Sequence, residues 1–594
     1  MNHNYTRLFD CIAPERIGDK DVLLAGKKNK QYQPLSGMQV IESVQALANG
    51  LIGLGLQHLQ GTEAREKVGI ISNSRPEWII TDLAVQKVGG ILVPLYPNTN
   101  LDEIIYIFNE AEVKYCFVHD KNTYKKLSAV QDQIPSLQYI YTYTEVEDAP
   151  HWSTLLQAPD AAARQEIQRR SEAVQEEEVT TIIYTSGTTG KPKGVMLTHK
   201  NIVSNVKSTE EAINGIGIED KKSLSFLPLN HIFEKTVTYI YLFNRYSVYY
   251  AESMETIAEN LKEVQPALFV TVPRLLEKVY EKIMNTGSSL TGLKRKLFFW
   301  AVELGDKYDT RNRSAWYNLQ LSIANKLIFD KWRAALGGKV KAIVVGGAAC
   351  PPKLARLFSA AQIPIMEGYG LTESSPVIAV NRYEEENRRF RTVGTPMTDV
   401  EVRIAEDGEI LCKGDNVMHG YYKNPEETAN VIVDGWLHTG DIGTLVEGRF
   451  LKITDRKKEL FKNSGGKYIA PQPIENKLKE SRFIEQVMVV GANEKYVGAL
   501  IVPNFEHLQK WMLLNGMTFT GNAAAVKEEA VQKHYKSILD KYNKEFSAIE
   551  QVKKFSLLEK EWTVEEGTLT PKLSLKRKII VEKYKDQIDD IYRR

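Results

Sequence analysis

The sequence predicts an α/β protein, with a large N-terminal domain of parallel and mixed sheets covered by helices and a small C-terminal α+β domain. Three observations carry that expectation. Strand and helix signals alternate over residues 1 to about 130, the character of the chain changes after Thr454, and 594 residues exceed what a single hydrophobic core usually serves.

In chain order, Glu66–Ser72 reads as an apolar strand, Trp78–Lys87 as an amphipathic helix and Gly89–Pro94 as the next strand. Strand–helix–strand order implies parallel pairing with helices on the sheet faces. Residues 145–178 are polar, end in Glu176-Glu177-Glu178, and read as a loop and surface helix joining two halves. Residues 289–337 read as an insertion of two long helices, with Leu297–Val302 and Leu319–Trp332 supplying apolar faces. Such faces serve either as a lid or membrane-facing surface, or as packing against the large domain. Beyond Thr454, a helix at Gln472–Lys479 precedes a hairpin through Val487–Val490 and Ala499–Val502. Basic amphipathic helices over Val526–Ser547 and from Ser574 onward follow, so the expected domains are residues 1–454 and 455–594.

The 77 basic and 75 acidic residues are interleaved and leave a formal charge of +2, too even for the basic footprint of a nucleic-acid binder. Cys11, Cys116, Cys350 and Cys412 are scattered, without metal-binding or CxxC spacing. The start of the chain lacks the layout of an export peptide, and no apolar run approaches the length of a membrane span. A cytoplasmic location is expected. If the substrate is dissolved in lipid, transient peripheral contact with a membrane surface stays open.

The densest chemical signal follows the buried strand expected at Val179–Tyr184. There Thr185, Ser186, Gly187, Thr188, Thr189, Gly190, Lys191 and Lys193 offer hydroxyls, backbone N–H groups and cations, which together suit polyphosphate. A Walker loop is excluded: Gly187 and Gly190 are too close, and Lys191 is followed by Pro192, which has no N–H.

Four further segments follow in order: Leu227–Glu234 with His231 between apolar residues; Val344–Ala349 with Gly368–Ser375, read as strand ends running into glycine turns; Asp434–Asp441; and Asp455–Lys467. Taken alone, His231 reads more readily as a core side chain and Asp441 as a solvated turn acid. With the hydroxyl-rich loop, these segments make the chain resemble the adenylate-forming (AMP-forming) ligases, and among them the long-chain fatty acyl-CoA synthetases, from about Val68 to Lys578.

That resemblance implies a small distorted barrel within the large domain and a mobile C-terminal domain. It implies ATP, Mg2+ and coenzyme A as co-substrates and cofactor, and a long-chain fatty acid as substrate. The carboxylate attacks the α-phosphorus to give an acyl-adenylate and pyrophosphate, and a thiol then displaces AMP. By the same resemblance His231 lies beside the substrate carboxylate, Gly347, Ala348, Gly368, Tyr369 and Gly370 hold adenine, and Thr372 donates to the α-phosphate. Glu373 and Thr185 would hold Mg2+, Asp441 the ribose, Arg456 the ribose or phosphate, Lys458 the hinge position, and Ser464, Gly465 and Gly466 would line the pantetheine path. One departure stands out: the family's C-terminal lysine position is Ser574 here, with Lys572 and Lys576 flanking it and Lys572 preferred. Two alternatives remain: an acyl-AMP ligase serving a carrier protein, and a non-catalytic nucleotide-binding relative.

Overall fold

The computed structural model describes residues 5–185, 191–564, 566–570 and 575–593. The candidates Ser186, Gly187, Thr188, Thr189, Gly190 and Lys572, together with Ser574, lie outside the described residues. Two compact units result. One comprises Met1–Arg403, Leu411–His438 and Val446–Leu451; the other comprises Ile404–Ile410, Thr439–Leu445 and Lys452–Arg594.

The first unit is built on two large sheets. In the seven-stranded sheet, Ile91–Leu95, Lys67–Ile71, Val113–Val118 and Tyr139–Thr142 run parallel to Val179–Thr185, and Lys193–Thr198 and Gly420–Tyr421 close one edge antiparallel. The nine-stranded sheet has a parallel centre that includes Leu268–Thr271, Ala342–Val345 and Ile365–Gly370, with antiparallel strands at both edges. Both faces of the smaller sheet are buried. Val68, Leu92, Tyr115 and Phe117 point to one core, while Ile71, Val93, Cys116 and Val118 point to another. Such strands read as nearly continuous apolar runs, as parallel sheets covered on both faces do.

The helix Pro76–Lys87 touches Ile91–Leu95 of one sheet and Leu24–Lys28 of the other. The amphipathic reading of this helix is corrected: all positions from Trp78 to Gln86 are buried, because the helix lies between two layers and has no face left for water. Its polar residues are satisfied internally. Lys235 of the helix Ile232–Phe243 forms an ion pair with Asp82, and both side chains are fully buried. Tyr239 Oη donates to Asp82 Oδ2 at 2.7 Å, and Gln86 Nε2 donates to Asp82 Oδ1 at 2.7 Å. The Lys235 ammonium also sits 5.1 Å from the Trp78 ring centre, so cation–π attraction adds to the charge pairing.

The expected insertion consists of Gly292–Asp306 and then Ala315–Ala324, which continues through a π turn at Asn325–Phe329 into Asp330–Ala335. The small distorted barrel is a five-stranded half-barrel sheet of Glu401–Ile404, Glu409–Lys413, Ile432–Val433, Trp436–Val446 and Phe450–Arg456.

In the second unit Ile484–Val490 pairs antiparallel with Val497–Pro503, which pairs parallel with Val552–Leu557. Alternate residues bury opposite faces. Val487, Val489, Ala499 and Ile501 join one core with the helix Glu529–Asn543, and Met488, Val490, Leu500 and Val502 join another with Trp562 and Ile580. The four cysteines of the chain are reduced and buried, and burial pushes each thiol well up from its usual range.

Removing one member of a fully buried ion pair leaves the other uncompensated. Asp82→Ala is expected to destabilise the first unit by about 3–5 kcal/mol. Asp82→Leu combined with Lys235→Met is expected to lose much less, and urea unfolding followed by tryptophan fluorescence compares the two.

Candidate active site

Val179–Thr185 is buried over its first five residues, and Thr185 pairs in register with Lys193 at the start of Lys193–Thr198. The hydroxyl-rich segment therefore joins two antiparallel strands of a hairpin, where a Walker loop would lead from strand to helix. Lys193 forms an ion pair with Glu427 and lies 5.5 Å from the centre of the Tyr421 ring. Lys191 sits 5.4 Å from the centre of the Tyr106 ring.

Tyr421 ties the hairpin to the next candidate. It lies in Gly420–Tyr421, opposite Val195, and its hydroxyl donates to Glu373 Oε1 at 2.9 Å. Burial pushes the Tyr421 phenol up and the nearby Glu373 charge adds to this, so the phenol remains a proton donor. Thr372 and Glu373 form a 3-10 turn with Ser374, and that turn touches Lys193–Thr198. Here the reading of Gly368–Gly370 as a glycine turn is corrected: these residues are still within the strand Ile365–Gly370, paired with Val377–Val380. Gly370 is dictated by close approach, since a Cβ there would lie 1.6 Å from the Pro376 carbonyl oxygen. Tyr369 is half-buried against the cluster of Ile378, Cys412 and Leu437.

His231 caps the helix Ile232–Phe243, its Nδ1 accepting from the Phe233 N–H at 3.1 Å. In the neutral ring this leaves the proton on Nε2, which makes that nitrogen a donor. Two contacts bring this helix start to the other candidates. The Phe233 ring lies where a Cβ on Gly346 would be 3.0 Å from it, and Thr236 Oγ1 donates to the Ser375 carbonyl at 3.2 Å. Gly347 follows with φ +80°, a left-handed conformation suited to glycine, and Ala348 is exposed beside it. The first unit thus gathers Thr185, Lys193, His231, Gly347, Thr372 and Glu373 around one place.

Asp441 and Arg456, both in the second unit, meet each other, with Arg456 Nε 3.6 Å from Asp441 Oδ1. Asp441 is 6% exposed, within the strand Trp436–Val446, so it is no solvated turn acid. Gly440 N–H donates to Glu409 Oε1 at 2.9 Å, and Lys457 bridges Asp407 and Glu409, which fixes the loop on either side. Lys458 is exposed in the turn directly after Phe450–Arg456. Ser464, Gly465 and Gly466 form a separate exposed turn, in which Asn463 Oδ1 accepts from the N–H groups of Gly465 and Lys467 at 3.0 Å each.

No cluster of three or more metal-ligating side chains occurs among the described residues. Mg2+ held chiefly by phosphate oxygens and water needs few protein oxygens, however. The Glu373 carboxylate, anchored by Tyr421, and the Thr185 hydroxyl at the strand end are a donor set of that kind.

Sequence reasoning missed Tyr421, Glu427 and two buried acids. Glu234 is fully buried, its Oε1 accepts from Ser225 Oγ at 2.5 Å, and burial pushes its carboxyl up to about 8. Glu367, on Ile365–Gly370, is also pushed up to about 8 by burial. No spacing in the chain marks these residues: Tyr421 and Glu427 meet Glu373 and Lys193 across long stretches of sequence, and the two acids are set apart only by tertiary burial.

The family model described as AMP-binding enzyme matches residues 13–422, and the AMP-binding enzyme C-terminal domain matches residues 460–594. The chain belongs to the AMP-binding enzyme family. Among curated relatives, a long-chain-fatty-acid–CoA ligase of Mycobacterium bovis is 31% identical over 93% of this chain and 91% of its own. Human long-chain-fatty-acid–CoA ligase 1 is 33% identical over 95% of this chain and 83% of its own. The fold of this AMP-binding enzyme is shared with the adenylation domain of a Mycobacterium chelonae carboxylate reductase, with TM-score 0.74 at 20% identity over 99% of this chain and 92% of that one. A fatty acyl CoA synthetase of Mycobacterium tuberculosis gives TM-score 0.62 at 17% identity, covering 98% of both chains.

Glu234 gives the enzyme a pH-dependent stability of definite sign. Between an ordinary value near 4.5 and about 8, the folded state keeps the proton that the unfolded state loses, so this group makes stability fall as pH rises through that window. Glu234→Gln is therefore expected to gain thermal stability relative to the parent as pH is raised from about 5 to about 8. Scanning calorimetry of both proteins at three pH values checks this.

Proposed function

We propose that this AMP-binding enzyme is an AMP-forming long-chain fatty acid–CoA ligase, which activates the acid as an acyl-adenylate and transfers the acyl group to coenzyme A. The observation that carries the reading is the Glu373 carboxylate, held by Tyr421 beside a hairpin that offers Thr185 at one strand end and Lys193 at the other. Carboxylate, hydroxyl and ammonium in that arrangement suit a metal-bound triphosphate. The names of the relatives supply the substrate class.

On this reading the hairpin segment from Thr185 through Gly190, with Lys193, binds the triphosphate. Glu373 and Thr185 hold Mg2+, which supplies neutralising charge at the phosphates when bound. Thr372 donates to the α-phosphate, and the Nε2 proton of His231 orients the fatty carboxylate. Tyr369 stacks on adenine between Gly347-Ala348 and Gly368–Gly370, while Asp441 accepts from two ribose hydroxyls beside Arg456. These fixed donors lower the barrier to attack of one anion on another, and no protein nucleophile is needed. Residues 1–454 and 455–594 act as the two domains, with Lys458 as the hinge between adenylation and thioester formation and Ser464–Gly466 beside pantetheine. Lys572, or Lys576, takes the place of the lysine absent at Ser574. The enzyme works in the cytoplasm with peripheral access to membrane lipid.

Incubation with ATP, Mg2+ and palmitate is expected to support pyrophosphate exchange, and added free coenzyme A to give palmitoyl thioester and AMP. Exchange without thioester, restored by an acyl carrier protein, would assign the carrier-linked reaction. Absence of exchange would sink the catalytic reading. Glu373→Ala is expected to lower exchange by about 10²–10³-fold with an unchanged unfolding temperature, and Tyr421→Phe to cause a smaller loss that excess Mg2+ partly restores.

A further inference from the structure

The 289–337 insertion is apolar on two sides. Along Ala315–Ala324, Asn325–Phe329 and Asp330–Ala335, the inward residues Ala324, Phe329 and Trp332 join the large core. The outward residues Trp316, Leu319, Ile323 and Leu327 are 68%, 53%, 44% and 47% exposed. Their spacing of three and four residues aligns them as one stripe. A helix apolar all round is normally covered on every side, and a contiguous exposed stripe marks a contact surface.

Charge indicates what covers it. Residues 289–337 carry nine Lys or Arg against four Asp or Glu, a net +5 in a chain whose total is +2. Glu303 and Asp330 are paired within the insertion, to Lys307 and Arg333, and Asp309 lies near Arg356 and Arg389. Lys294, Arg295, Lys296, Lys326 and Lys331 are exposed, and among the described residues none of them has a carboxylate partner. The two helices run antiparallel, with Tyr317 Oη donating to the Leu304 carbonyl at 2.7 Å and the π turn touching Gly292–Asp306. Lys294–Lys296 therefore lies toward the same end of the stripe as Lys326 and Lys331.

We propose that this stripe docks on the surface of an anionic phospholipid bilayer. Trp316, Leu319, Ile323 and Leu327 enter the headgroup boundary while the unpaired cations meet lipid phosphates, the division of labour of an interfacial amphipathic helix. A second copy of the chain fits less well, because the same insertion on that copy carries a net +5 and offers these cations no anionic surface. The inference deepens the peripheral location proposed above by giving it a surface. Its test needs neither nucleotide nor fatty acid, so its failure is distinguishable from failure of the ligase reading.

The full-length protein is mixed with vesicles of phosphatidylcholine alone or with phosphatidylglycerol, and the bound fraction is measured by flotation. Wild type is expected to float with the anionic vesicles, and to release as salt is raised from about 0.1 to about 0.5 M. Trp316→Ser combined with Leu319→Ser and Ile323→Ser is expected to lower partitioning at least about tenfold, and Lys326→Gln with Lys331→Gln several-fold, with unfolding temperatures unchanged. Leu319→Ser alone serves should the triple variant misfold, and is expected to lose part of the binding. Wild type that does not float, variants that float as well as wild type, or a solution dimer that the triple variant dissociates would each overturn the proposal.

Discussion

The interaction on which the candidate active site depends lies out of reach of solvent, in the helical layer between the two large sheets. The Asp82–Lys235 pair joins Pro76–Lys87 to Ile232–Phe243 where neither charge meets water, so the two helices have essentially one relative placement. A slip of one residue along either helix would strand both charges. The first residues of Ile232–Phe243 inherit that precision: His231 caps it, Phe233 fits the space left by Gly346, and Thr236 reaches Ser375. The pair thus has less to do with net stability than with fixing where an imidazole stands relative to the Thr372–Ser374 turn. Preorganised donors are useful in catalysis only if they do not have to move.

The interior beside the candidate site also holds acids whose charged form burial disfavours. Burial pushes the carboxyls of Glu234 and Glu367 up to about 8, which favours their protonated forms and lessens the negative charge in the interior beside the candidate site. A second full carboxylate beside a triphosphate would raise the barrier that the cations are there to lower. Burial achieves this without any dedicated counter-ion for Glu234, whose one hydrogen bond is donated by a serine.

Much of the fold was legible because its signals are local. Val179–Thr185 was legible as a β-branched run, which the structure buries over its first five positions, and the Val487–Val490 and Ala499–Val502 strands as apolar runs bounded by a polar turn. Pro76–Lys87 was misjudged because a few polar residues suggested a wet face, and only the partners on another helix show that Asp82 and Gln86 are interior. The glycines at 368 and 370 look like turn formers in sequence, but Gly370 exists for a close approach from Pro376, which no spacing encodes. In the same way Glu373 was visible as a motif residue and Tyr421 was not, since 48 residues separate a hydroxyl from the carboxylate it holds.

The placement of the sulfur atoms bears on life beside a thiol co-substrate. Coenzyme A oxidises to a disulfide, and any protein thiolate within reach of that disulfide can be captured as a mixed disulfide. Here all four sulfurs are interior, and burial keeps them protonated. On the proposed ligase reading, capture of these sulfurs by the oxidised co-substrate would first require the fold to open locally.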